Sequence, residues 1–129
     1  MKIAVVGAHL SGQPLNQQLV ELNAELKRTA RTAPFYQLFA LPDTAPPKPG
    51  LLRTTDRQLH GIEVEVWELS PADFAAFIEM IPAPLSIGTL ELHDGERVKG
   101  FLVESYATRG AKEITQFGGW RKYLQTLGG

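Results

Sequence analysis

Apolar residues open the chain in a short unbroken run, Ile3-Ala4-Val5-Val6, which Gly7 closes. A β-branched run of that length predicts a buried strand. The period then changes. Leu15, Leu19, Leu22 and Leu26 recur at steps of four, three and four, one face of a helix, with Gln17, Gln18, Glu21, Glu25 and Lys27 on its other faces. Pro14 suits the first turn of that helix, where its missing N–H costs nothing. Ala33 to Leu41 is aromatic and apolar and predicts a strand after Pro34. Pro42, Pro46, Pro47, Pro49 and Gly50 exclude a helix or a central strand and predict a stiff loop, whose only cation is Lys48. Leu51 to Arg53 resumes the sheet.

Ile62 to Leu69 alternates, with Val64 and Val66 set against Glu63 and Glu65. The pattern predicts a strand that is wet on one face at its start, with both glutamates in solvent. Ser70-Pro71-Ala72-Asp73 opens a helix: a side-chain cap, a proline fit for the first turn and an acid at the positive end. Phe74, Phe77, Ile78 and Ile81 form its apolar face, and Pro82 and Pro84 end it. Ile87–Leu92 and Val98–Glu104 read as strands joined by a hairpin turn at Asp94-Gly95. Thr115 caps a last helix carrying Trp120, Tyr123, Leu124 and Leu127. Gly118-Gly119 is either a loop lining a site or a close approach of backbone to backbone.

Strands outnumber helices and do not alternate with them throughout, which argues against a purely parallel doubly wound sheet. The expected class is α+β, a small mixed sheet or barrel flanked by two or three helices, in a single domain over residues 1–129. With 43% hydrophobic and 21% charged residues the chain can bury its own core. A net charge of −1 without a basic run points away from nucleic acid and from acidic membrane surfaces. No segment is long enough to cross a membrane, and the first apolar run is too short for a signal peptide. The absence of cysteine excludes disulfides, thiolate nucleophiles and cysteine-based zinc sites. A soluble cytoplasmic protein is the expectation.

The chemistry is concentrated in few places. His9 follows the first strand on a tight turn between Gly7 and Gly12, ahead of a helix start. Such turns put backbone N–H groups and a titratable imidazole where α/β proteins hold ligands. His60 and His93 read as surface residues, and the three histidines match no metal motif, so neither metal nor cofactor is expected. There is no Gly-x-Ser-x-Gly elbow and no Gly-x-Gly-x-x-Gly fingerprint. Pro82-Ala83-Pro84-Leu85-Ser86-Ile87-Gly88-Thr89 is a rigid link or a wall that a small ligand approaches at Gly88. In Lys99-Gly100-Phe101 the glycine marks a bulge or a close backbone approach.

These segments together resemble one family. Val6-Gly7-Ala8-His9-Leu10-Ser11-Gly12-Gln13-Pro14-Leu15-Asn16, Thr32-Ala33-Pro34-Phe35-Tyr36, Pro46-Pro47-Lys48-Pro49-Gly50 and Ile62-Glu63-Val64-Glu65-Val66-Trp67 resemble the C-terminal domain of allophanate hydrolase. Pro82 to Thr89, Val98-Lys99-Gly100-Phe101 and Phe117-Gly118-Gly119-Trp120 continue the series in order through nearly the whole chain. The resemblance implies a γ-glutamylcyclotransferase-like fold. In allophanate hydrolase an amidase domain with Ser–Ser–Lys machinery precedes this one and leaves N-carboxycarbamate. The C-terminal domain is implied to promote decarboxylation of that product, with a histidine at the position of His9. No amidase region is evident in this sequence, so the resemblance implies an amidase chain acting in trans, or a repurposed domain.

On that reading His9 is the acid/base. Gly7, Ala8 and Leu10 offer loop backbone to a small dicarboxylate-like substrate, and Lys48 and Lys99 are its cations. Tyr36 orients a carboxylate, Pro84, Ile87 and Gly88 form a wall, and Asn16 and Gln17 brace the loop. Phe101 and Trp120 belong to the core. A binding or assembly module for an amidase, or for a second copy of the chain, is the alternative. Cyclotransferase relatives use a Tyr-Gly-Ser-like loop and a glutamate after the second helix. Here the loop is Gly7-Ala8-His9-Leu10 and the second position reads Ile81-Pro82-Ala83-Pro84, with Glu79 inside the helix, so cyclotransfer ranks last.

Overall fold

The apolar run at the N-terminus becomes the middle strand of a sheet. The computed structural model describes residues 1–128. In chain order its elements are β1 (Lys2–Val5), α1 (Asn16–Glu21), β2 (Glu25–Arg31), β3 (Tyr36–Ala40), β4 (Pro49–Arg53), β5 (Glu63–Glu68), α2 (Pro71–Glu79), β6 (Leu85–Glu91), β7 (Arg97–Val103), β8 (Lys112–Glu113) and α3 (Trp120–Leu127). Five strands form one sheet in the order β2-β5-β1-β7-β6; β4-β3-β8 form a second. β1 runs antiparallel to β5 and parallel to β7, so the larger sheet is mixed. The expected α+β architecture is present in its sheet form: the strands make two sheets and not a closed barrel.

Several local rules act as the sequence predicts. Ser70 Oγ accepts the Asp73 N–H at 3.2 Å and donates to Asp73 Oδ2 at 2.9 Å, while Pro71 opens α2. Gly95, with φ +91°, makes the turn between β6 and β7. Gly100 is a close approach: a Cβ there would lie 2.7 Å from Leu90 Cδ1 and 3.1 Å from Ala4 O. Ile3, Val5, Val64 and Val66 are buried, so the central strands are covered on both faces.

Four expectations are corrected. The first helix stops at Glu21, and Glu25, Leu26 and Lys27, read as its continuation, belong to β2. Asn23 turns the chain in the left-handed region at φ 58°, and β2 then satisfies the outer edge of β5. Leu26, the fourth residue of the helical stripe, is consequently exposed. β4 does not rejoin the main sheet but pairs with β3 in the smaller one. Glu65 is buried and Glu63 half-buried, because Arg121 of α3 lies over that face of β5. Thr115 does not cap the last helix: it accepts the Leu38 N–H at 2.9 Å, and α3 begins at Trp120 behind Gly119. The Gly118-Gly119 pair is a close backbone approach, with Gly118 O accepting the Glu63 N–H at 2.9 Å. His60 and His93 are exposed.

Candidate functional site

The loop beyond β1 is built by its own hydrogen bonds. Leu10 N–H donates to Gly7 O at 3.0 Å, Gln13 N–H to Leu10 O at 2.9 Å and Leu15 N–H to Ala8 O at 2.8 Å. Asn16 Nδ2 donates to His9 O at 2.9 Å, the bracing role expected of it. Gly7 must be glycine: a Cβ would lie 2.2 Å from Pro49 Cδ, so the loop presses directly on the start of β4. The N–H groups of Ala8 and His9 have no intramolecular acceptor among the described residues.

His9 is only 6% exposed. Its ring stands edge-on to Phe77 of α2 and Phe101 of β7, each at 5.1 Å between centroids. Nε2 lies 2.7 Å from Gln18 Oε1, so Nε2 carries the proton and Nδ1 keeps the lone pair. Burial pushes the imidazole pKa below its ordinary value; the Gln18 bond opposes that and the positive charge of Lys48 adds to it. The ring is neutral at pH 7. It faces a cleft of about 10 Å³ lined by Gly7, Ala8, His9, Lys48, Leu85 and Phe101, room for roughly one water molecule.

The other candidates fall into two groups. Gly7, Ala8, His9 and Lys48 converge on the cleft. Leu10, buried in the core, closes the turn behind them. Pro84 and Gly88 do not line it. Leu85 takes that place, while Ile87 lies across the ladder from Phe101. Lys99 is exposed at the far end of β7, with Nζ on Thr89 Oγ1 at 3.0 Å. Tyr36 is buried in the core; its hydroxyl accepts from Glu91 N–H at 3.0 Å and from Arg53 Nη1 at 3.2 Å, which stitches the two sheets together. Gln17 is exposed, and its neighbour Gln18 holds the imidazole. The sequence did contain a signal for Gln18: a helix starting so soon after the loop brings its first-turn side chains back against it. Phe77 and Phe101 carried only the signal of core residues.

Nothing acidic replaces the cyclotransferase glutamate near the cleft. Residues 81–84 carry no carboxylate, and Glu79 is exposed on α2. Among the described residues no cluster of three metal-ligating side chains occurs, and no helix is long and apolar enough to cross a membrane. A much larger concavity, about 500 Å³, lies apart from His9, between Arg31, His60, Gly118 and Lys122.

Fold and loop together define a γ-glutamylcyclotransferase-like domain with histidine in the loop after its central strand. The chain belongs to the allophanate hydrolase C-terminal domain family, which matches residues 1–125. It is 47% identical over 130 residues to urea amidolyase of Saccharomyces cerevisiae, covering 98% of this chain and 7% of that protein. Against the structure of Kluyveromyces lactis allophanate hydrolase the identity is 43% and the TM-score 0.93, over 98% of this chain and 21% of that one. A uropathogenic E. coli-specific protein is 37% identical with a TM-score of 0.87, over 96% of this chain and 94% of that one. The first two relatives are thus much longer than this chain.

Proposed function

We propose that this domain promotes decarboxylation of an N-carboxylated amidase product, N-carboxycarbamate, with His9 as the group that moves the proton. The observation that carries the reading is one cleft lined by a buried imidazole, by the lysine that leads into β4 of the other sheet and by Ala8 and His9, whose backbone N–H groups have no intramolecular acceptor among the described residues. The reaction needs those parts. A C–N bond breaks, carbon dioxide leaves, and the electron pair stays on nitrogen, which must take one proton. Backbone N–H groups and Lys48 hold the carboxylates. His9 Nδ1 takes a proton from solvent and passes it to the nitrogen.

The electrostatics suit that sequence of events. In the free domain burial, with Lys48 adding to it, keeps His9 neutral. A bound dianion pairs with Lys48 and places negative charge beside the ring, so the imidazole gains its proton when there is a substrate to receive it. The cleft holds about one water as it stands, so the reading requires it to widen when substrate binds. The physiological supplier is an amidase, in the same chain in the long relatives or in trans.

The test couples an isolated amidase domain to this chain. Allophanate is supplied and carbon dioxide release is followed with wild type and His9→Gln. The expected result is acceleration by wild type alone. No acceleration by either protein would overturn the reading and favour the second one, a binding or assembly module for an amidase. The longer relatives favour that alternative, and retained binding of the amidase by His9→Gln would mark it.

A further inference from the structure

Glu65 is a carboxylate inside the protein, 3% exposed, in a position that solvent would ordinarily claim. Its Oε1 accepts the Ser11 N–H at 2.8 Å, the Ser11 hydroxyl at 2.9 Å and the Trp67 indole N–H at 3.1 Å. Its Oε2 accepts Arg121 Nη2 at 2.9 Å. The same Nη2 donates to Ser11 O at 2.8 Å, and Arg121 Nη1 to Glu63 Oε1 at 3.1 Å. Ser11 is thus held at its N–H, its hydroxyl and its carbonyl by one ion pair. None of these side chains lines the His9 cleft.

Stability alone gives little reason for such an arrangement. A buried ion pair contributes about as much as, or less than, apolar residues of the same volume. What this pair adds is position. Ser11 stands two residues after His9, where the loop leaves the cleft. The other end of the loop is fixed by contact of Gly7 with Pro49, and its middle by Asn16 on His9 O. Without the ion pair only the exit would be loose.

We propose that Glu65 and Arg121 are positioning residues, an ionic clamp from β5 and α3 that fixes Ser11 and thereby aims the His9 imidazole and the Ala8 and His9 N–H groups into the cleft. The proposal rests on the decarboxylase reading for its effect on turnover, but not for its effect on the loop. The clamp also makes α3 part of the site, although no residue of α3 touches it.

The test uses Glu65→Gln, which keeps shape and removes charge, and Arg121→Lys, which keeps charge and removes the fork. Amide hydrogen exchange, the His9 ring titration by NMR and carbon dioxide release are measured on each. In Glu65→Gln, exchange at Leu10 and Ser11 rises at least about tenfold while β6 and β7 stay protected, and the His9 pKa moves up toward its ordinary value as water enters. kcat falls about 10- to 100-fold with a smaller change in KM, the signature of misplacement. Arg121→Lys shows each effect in smaller measure, because the charge on Glu65 stays paired. Unchanged exchange at Leu10 and Ser11 would overturn the clamp. So would exchange rising equally throughout the fold, which marks a merely structural pair. Should wild type release no carbon dioxide, the decarboxylase reading fails while the exchange and titration arms still decide the clamp.

Discussion

His9 and Glu65 are both ionisable groups taken out of water, with different consequences. Burial works against the charge on each. At His9 it prevails, and the ring stays neutral. At Glu65 it is outweighed by the Ser11 N–H, Arg121, the Ser11 hydroxyl and Trp67, so the carboxyl is held below its usual range. The two therefore affect stability in separate windows. The unfolded chain protonates His9 near pH 6.5 and the folded chain only lower, so between those values the unfolded state holds more protons. The stability tied to neutral His9 is complete above about pH 6.5 and is lost as pH falls toward the folded value. The contribution of Glu65 is complete above about pH 4.3 and is lost as pH falls through its depressed folded value. Urea unfolding at pH 7.5 and 5.5 separates them: wild type loses stability between these values and His9→Gln loses measurably less. Equal losses would show that His9 is not the responsible group. His9 could be picked out in the sequence because glycines and a helix start surround it. The burial of Glu65 could not, because an alternating strand reports its period and not what covers each face; the cover is Arg121, 56 residues further on.

At the scale of elements, chain segments with strong local chemistry were legible and those defined by partners were not. The capped α2, the Asp94-Gly95 turn and the proline-rich loop as far as Lys48 each declare themselves within a few residues, whereas Pro49 and Gly50, read as the end of that loop, pair with β3 and open β4. β2 does not. Its residues are mostly exposed, it lies at a sheet edge, and Leu26 happens to extend the leucine spacing of α1. Pairing with β5 overrides that spacing, and Asn23 makes the switch at φ 58°. The two arrangements give opposite signs for one substitution. In a continuous helix Asn23→Ala would stabilise by roughly 0.5 kcal/mol through propensity. In the observed turn it destabilises by about 1 kcal/mol, because alanine resists the left-handed conformation more than asparagine does. Urea midpoints decide the sign, and a stabilised Asn23→Ala would contradict the turn.

At the scale of the molecule, the candidate site exists only because two sheets meet. His9 comes from the centre of the larger sheet, and Lys48 arrives on the chain leading into β4 of the smaller one. The contact between the sheets is tight at Gly50, where a Cβ would lie 2.7–2.9 Å from the side-chain atoms of Val103. The sequence shows both residues and their proline-rich setting, but not that they approach each other, since strand order is decided by pairings far apart in the chain. Lys99 illustrates the limit: it has the same chemistry as Lys48 and lies two residues from Phe101, yet it is directed to Thr89 and solvent. These placements make a prediction that spans the fold. Gly50→Ala forces the sheets apart, with a loss of about 1–3 kcal/mol in urea unfolding, the usual cost of overpacking. It also carries Lys48 away from His9, and since Lys48 lowers the ring's pKa, that pKa rises. Lys48→Met raises it in the same direction without comparable loss of stability, and Lys99→Met leaves it in place. An NMR titration of the His9 ring in the three variants reads all of this. A rise in Gly50→Ala with none in Lys48→Met would mean that water reaching the ring, rather than the loss of a neighbouring charge, is what couples the smaller sheet to His9.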